Sequence, residues 1–240
     1  SKGGWATFAK TGYQNLVKVF VPFLVLLLVV GGILKFQDDL TTLGIVVFSL
    51  LIVYFLAGTP IWHTISLAIA FLSGATLLIV TEPFRVQRFL VFLRPETDPL
   101  GIGFQLRQSL IALGSGGIWG KGLGMSTQKF GFLPAAMSDS LFAIVGEELG
   151  IIGCSIIILL FLAFLWLCFK IIRQTTDKFS RLTVIGFSGW IIFQSFINIM
   201  SVVGMFPVSG VPLPFFSYGG SHIMAELLAC GIILNISKNG

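Results

Sequence analysis

The sequence predicts an all-α fold, a polytopic bundle of six transmembrane helices, and three observations predict it. Apolar residues fill 55% of the 240 positions and charged residues 10%, against about 25% charged in a soluble domain. The apolar residues gather in runs long enough to cross about 30 Å of hydrocarbon. Those runs lack the alternation of barrel strands, so helices, which pair their backbone groups internally, are the element a bilayer allows.

The spans follow in order. Leu16 to Leu34 comes first, interrupted by Pro22 and by Gly31 and Gly32, which a bundle tolerates when neighbours satisfy the freed carbonyls. Leu40 to Ala57 is preceded by Asp38 and Asp39, read as a helix-start cap with acids near the positive end of the dipole. Ile61 to Val80 is the third. Ser140 to Phe169 is longer than the ~20 residues a span needs, so tilt or protrusion is expected. Leu182 to Val203 and Ser221 to Ile236 complete the set.

Two connectors differ in composition. Residues 81–138 are rich in Gly and Pro, carry six Lys or Arg, and include the partly amphipathic run "IGFQLRQSLIALGSGG". Residues 204–220, "GMFPVSGVPLPFFSYGG", hold three prolines and no charge. A loop this apolar is expected to be re-entrant or interfacial. With the N-terminus inside, Lys2, Lys10, Lys170, Arg173, Lys178, Arg181 and Lys238 balance Lys35 and the six of the large loop, seven against seven. The positive-inside rule weakens for loops near 60 residues, which favours placing the large loop outside. Residues 1–240 read as one membrane domain, without an internal repeat and without a signal peptide at "SKGGWATFAKTGYQN".

Composition also excludes functions. The net charge of +5 is spread over loops and span ends, with no basic helix or aromatic platform for nucleic acid, and suits contact with membrane lipid. Cys154, Cys168 and Cys230 have no paired spacing and read as packing residues; His63 and His222 have no metal-ligand company, so no metal site is assigned. "GSGGIWGKGLG" is not a phosphate loop, because Ser115 and Gly122 stand where that pattern needs Gly and a hydroxyl residue. Flexible glycines beside Lys121, with Arg85, Arg88, Arg94, Arg107 and Lys129 in the same loop, could meet phosphates or form a basic membrane rim.

The candidates for chemistry are acids. Ser138 and Asp139 stand at the entry of the fourth span, where Asp139 can cap the helix, act as a general base at the membrane surface, or do both. Glu147 and Glu148 lie eight and nine residues further on, about 80° and nearly 180° around a helix from Asp139, so they form no tight dyad with it. An acid in lipid is costly, so each should face a partner or a wet cavity. Glu226, one turn after His222, reads as a structural pair with it.

"RPETDPLGIGFQLRQSLIALGSGGIWGKGLGMSTQKFGFLP", "SDSLFAIVGEELGIIG" and "GMFPVSGVPLPFFSYGG", in that order, resemble the SEDS family, which includes FtsW and RodA. The resemblance implies about ten transmembrane helices, of which this chain matches the last six, N-terminally truncated relative to the family, with 81–138 as a large extracellular loop. It implies a peptidoglycan glycosyltransferase of the bacterial plasma (inner) membrane that polymerises lipid II onto undecaprenyl-linked glycan beside a class B penicillin-binding protein, a transpeptidase. It places the essential acid at Asp139, and substrate-binding positions at Arg85, Arg88, Gln105, Gln108, Lys121, Gln128 and Glu147. No firm cofactor is implied beyond a divalent cation, Mg or Mn, helping at the pyrophosphate. Three departures from the family pattern stand out: Ala135 and Met137 in "PAAMSD", "QDDLTT", and His222 after "SYGGS". The rival readings are a lipid II flippase and a noncatalytic scaffold for the transpeptidase.

Overall fold

The computed structural model describes residues 20–36, 39–98, 100–129, 134 and 138–239. Asp38, Ala135, Met137 and the basic residues Lys2 and Lys10 lie outside that set. The described chain forms eight α-helices: α1 (Val21–Phe36), α2 (Leu40–Leu56), α3 (Ile61–Val80), α4 (Pro83–Leu93), α5 (Ile102–Gly116), α6 (Leu141–Gln174), α7 (Lys178–Val202) and α8 (Gly220–Asn239), with a 3₁₀ turn at Pro95–Thr97.

Local chemistry sets the ends. Asp39 accepts from the Thr42 amide at 2.9 Å at the start of α2, and Asp177 accepts from the Ser180 amide at 2.8 Å at the start of α7, the N-cap geometry that satisfies orphan donors. Pro83 opens α4, where its missing N–H costs nothing. Four helices are long and apolar enough to cross a bilayer: α3, α6, α7 and α8 as far as Lys238. Val21–Leu34 and α2 are shorter apolar helices, the first of them adjoining residues outside the described set. The large connector contains two helices, α4 and α5.

The span expected from Ser140 is present but sharply bent, which replaces the tilt or protrusion expected for its length. Inside α6, Gly150 leaves helical geometry at φ 65° and ψ −161°. A Cβ built on Gly146 would lie 3.3 Å from the Cys154 sulfur, whereas eight residues of straight helix are about 12 Å long. The arms 141–149 and 151–174 therefore fold towards each other. The bend brings Phe142 into one buried cluster with Ile157 and Phe161, joined by Ala112 of α5, Ile191 and Val202 of α7, Leu213 and Ala229. The second arm alone has about the length needed to span.

Breaking a helix frees carbonyls on one side and amides on the other. The glycine-rich segment after α5 takes up both sets. The Lys121 and Gly122 amides donate to the Glu147 and Glu148 carbonyls at 3.0 Å each, while the Ile151 and Ile152 amides donate to the Gly117 and Ile118 carbonyls at 3.0 and 3.3 Å. Close approach dictates glycine here. Gly120 sits at φ 79° with its α-carbon against the Glu148 carbonyl, so any side chain would collide with backbone.

Side chains fasten the same joint. Lys121 Nζ lies 2.7 Å from Glu147 Oε1, and Lys129 Nζ lies 2.8 Å from Glu148 Oε1. Glu147 also accepts from the Ser126 and Thr127 hydroxyls at 2.5 and 2.9 Å and from the Thr127 and Gln128 amides at 3.3 Å. The acids of α6 thus face a loop rather than another helix, and each has the partner that its burial demands.

Two outcomes follow for the full-length protein in detergent. Gly150→Ala is expected to lower stability by at least about 1–3 kcal/mol, the cost of a side chain in left-handed backbone, read as a fall in melting temperature. Lys121→Met leaves the fully buried Glu147 without its cation. The expected loss is about 2–3 kcal/mol in the same measurement, below the ~3–5 of a wholly buried pair because the lysine is 36% exposed.

Candidate active site

Asp139 sits just before the first arm of α6, half-buried, with Ser140 buried beside it. The two peptide carbonyls that bracket its α-carbon are both held. Ser217 donates to the Ser138 carbonyl, and Asn198 Nδ2 donates to the Asp139 carbonyl at 2.8 Å. Gln105 of α5 reaches the Ser140 hydroxyl at 3.3 Å. Burial raises the Asp139 pKa above the ordinary aspartate range and Asp39 adds to the rise; the Ser138 hydrogen bond and the Arg88 charge oppose it.

Arg88 projects from α4 and rests on the Phe84 ring, 4.8 Å from its centroid. Burial lowers its pKa, and the charges of Asp39 and Asp139 oppose that. Its Nε is buried with no hydrogen-bond partner among the described residues. Gly210 of the proline segment lies close to both: a Cβ there would stand 3.9 Å from Asp139 Oδ2 and 4.0 Å from each Arg88 Nη. Glycine at 210 leaves the two charged groups facing one small space.

The surroundings of that space differ by side. Towards Gln105, Ser109, Ser140 and Ser201 the packing is close, leaving about 10 Å³. On the arginine side a groove of about 320 Å³ opens between α2, α3, α4 and α7, with Arg85, Arg88 and Thr41 among apolar walls that include Phe48, Phe71 and Phe193. Arg85 is anchored there by donating to the Leu78 carbonyl at 2.8 Å, near the negative end of α3. Thr41 and the C-terminal residues of α3 lie at the same end of the bundle as the arginines. Phe48 and Phe71 lie two or more turns further along their helices, so the groove runs from cationic mouth to apolar depth.

The sequence-derived positions divide into two groups. Asp139, Arg88, Arg85 and Gln105 converge on this site. Lys121 and Glu147 are bound to each other at the bend; Glu147 is fully buried with both oxygens engaged by the loop. Gln128 belongs to that loop, where its amide meets Glu147 and its Oε1 is buried without a partner among the described residues. Gln108 is partly buried on α5. The described residues contain no group of three or more His, Cys, Asp or Glu that could hold a metal ion.

Sequence reasoning passed over several residues at the site. Asp39, read as a cap, does cap α2 and also acts electrostatically on Arg88 and Asp139. Gly210, Ser217 and Asn198 are the others. A signal for Asn198 existed: Gln194, Asn198 and Ser201 recur at helical spacing in "FQSFINIMS", a polar stripe within an apolar span.

Comparison with known proteins places this geometry. Residues 6–240 match the FtsW/RodA/SpoVE family, described as cell cycle proteins. The chain is 42% identical over 219 residues to stage V sporulation protein E of Bacillus subtilis (strain 168), covering 91% of this chain and 60% of that protein. It is 36% identical over 226 residues to the probable peptidoglycan glycosyltransferase FtsW of Escherichia coli O6:H1, covering 93% and 55%. The fold is similar, with a TM-score of 0.71 and 27% identity, to a chain in the structure described as "Structural coordination of polymerization and crosslinking by a peptidoglycan synthase complex", covering 92% of this chain and 62% of that one. This chain thus spans somewhat more than half the length of its relatives. Matched over nearly its whole length and built of bilayer-crossing helices, it is a multi-pass membrane protein that belongs to the FtsW/RodA/SpoVE family.

Proposed function

We propose that the protein is a peptidoglycan glycosyltransferase of the bacterial inner membrane, in which Asp139 is the general base for polymerising lipid II. The observation that carries the reading is that the half-buried Asp139 carboxylate and the guanidinium of Arg88, which lines an apolar groove, both lie close to Gly210. Family membership and relatives named as probable peptidoglycan glycosyltransferases support it.

In this reading the acceptor sugar of lipid II presents its 4-hydroxyl to Asp139. The carboxylate takes the hydroxyl proton as the oxygen attacks the anomeric carbon of the donor glycan. The bond from that carbon to the pyrophosphate breaks, its electron pair leaves with undecaprenyl pyrophosphate, and configuration inverts. Arg88 and Arg85 offset the developing charge on the leaving group. Their hydrogen-bonding forks suit phosphate, and the groove beyond them suits a polyprenyl chain. Gln105 would hold Ser140 and thereby the start of α6. A divalent cation would take ligands chiefly from the pyrophosphate, and no step is assigned to it. The partner, a class B penicillin-binding protein, crosslinks the product.

A raised pKa fixes the sign of two effects. Above its folded pKa, Asp139 is ionised and able to accept a proton; that ionised form is the one burial disfavours, so the stability it contributes is present at low pH and lost as pH rises through the folded pKa. Asp139→Asn in the full-length protein is therefore expected to abolish polymerisation of purified lipid II in detergent, by at least about a hundredfold, without lowering the melting temperature at neutral pH. Retained polymerisation would remove Asp139 from the mechanism. Detergent also separates this reading from a flippase, because translocation has no meaning without two compartments. In the wild type, activity is expected to decline with acidification at a midpoint above the ordinary aspartate range, measured as kcat against pH. A midpoint within or below that range would contradict the role given to burial.

A further inference from the structure

We infer that Asn198 is a positioning residue that aims the Asp139 carboxylate, an inference that rests on the reading of Asp139 as the base. Asn198 lies one turn before the end of α7 and is fully buried. Its amide nitrogen donates both hydrogens, to the Asp139 carbonyl at 2.8 Å and to the Val211 carbonyl at 2.7 Å. Its Oδ1 is buried with no partner among the described residues. An unsatisfied acceptor in this setting is unfavourable, and a leucine would fill nearly the same volume without it. What asparagine adds is the double donation.

The geometry gives that donation a purpose. The direction of the Asp139 side chain is set by the two peptide planes that meet at its α-carbon. Ser217 holds the first through the Ser138 carbonyl, and Asn198 holds the second through the Asp139 carbonyl. The same two side chains hold the proline segment: Asn198 at the Val211 carbonyl, and Ser217 by accepting from the Leu213 amide at 2.8 Å. Gly210, which lies close to both Asp139 and Arg88, immediately precedes Val211. One amide therefore holds both the backbone of the base and the residue next to Gly210, which lies beside the base and the guanidinium.

A second tier of contacts holds the segment still. Trp190 donates to Gln194 Oε1 at 2.9 Å, which orients the amide so that Gln194 Nε2 donates to the Pro212 carbonyl at 2.9 Å and to His222 Nε2 at 2.7 Å. His222 Nδ1 lies 2.7 Å from Glu226 Oε1, and Glu226 Oε2 accepts from the Phe215 amide at 2.8 Å. His222, a departure from the family pattern, is thereby a member of this tier.

Asn198→Leu in the full-length protein removes the orphaned acceptor together with the donors, and leaves the Asp139 and Val211 carbonyls unpaired. The melting temperature is expected to fall, since two buried carbonyls lose their donor, and the kinetics are read below it, on folded protein. With lipid II as substrate, kcat is expected to fall roughly ten- to a hundredfold, the order of loss for a misaimed catalytic group, with KM changed less than about twofold and the pH midpoint of kcat displaced. Ser217→Ala removes a single hydroxyl from the other anchor and carries the same expectation. Wild-type kcat and pH midpoint in either folded variant overturn the proposal. Asp139→Asn run in parallel distinguishes the two failures: an inactive Asp139→Asn beside a fully active Asn198→Leu sinks the positioning role alone, and an active Asp139→Asn sinks the reading beneath it.

Discussion

A break in a helix that lies against lipid leaves main-chain donors and acceptors that no solvent can satisfy, and much of this structure answers that constraint at Gly150. Each unsatisfied backbone group in hydrocarbon costs several kcal/mol. The four hydrogen bonds from residues 117–122 to the two sides of the bend remove that cost and fix the angle between the arms of α6. With the angle fixed, the first arm lies along α5, and its N-terminal end, carrying Asp139, is delivered to α7 and the proline segment. The location of the candidate base is thus a consequence of how a glycine loop satisfies a broken helix some ten residues away.

A second constraint acts on the proline segment, residues 204–219. Proline removes donors, and a nonhelical backbone packed inside a membrane domain must find partners from side chains. Asn198 and Gln194 supply hydrogens to the Val211 and Pro212 carbonyls, while Ser217 and Glu226 accept from the Leu213 and Phe215 amides. Polar residues in α7 and α8 that would be costly facing lipid are in this way spent inward on a loop without charge of its own. The loop in turn places Gly210 beside Asp139 and Arg88.

These constraints explain what was legible in the sequence. Apolar runs marked the helices because burial in lipid needs little more than length and composition, and Asp139 was visible because an acid at a span entry has few ordinary uses. The bend was not visible: "EELGIIGCS" reads as uninterrupted helix, since glycine permits the left-handed conformation without requiring it. Only the loop contacts make Gly150 adopt it. The pairing of Glu147 with Lys121 was not legible for the same reason, as the ion pair joins residues 26 positions apart whose meeting depends on the bend. Asp39 and Asn198 were hidden differently. Each has a plain local reading, a cap and a polar residue in a helix, and their second contacts come from elements distant in sequence.

The pairing of acids bears on the type of chemistry the site can support. Hydrolysis or retention at a sugar carbon usually calls for two carboxylates flanking one bond. Of the acids closest to Asp139 in sequence, Glu147 and Glu148 are each paired with a lysine at the far end of the first arm. Asp39, the acid that does act on Asp139 electrostatically, has its oxygens engaged in capping α2. In the proposed reading Asp139 is the carboxylate that changes protonation, and Arg88, close to the same glycine, is a cation suited to phosphate. In that reading one base and one anion clamp suit transfer of a sugar to an alcohol with inversion. The ion pairs that stabilise the bend are what hold the other acids of α6 away from Asp139.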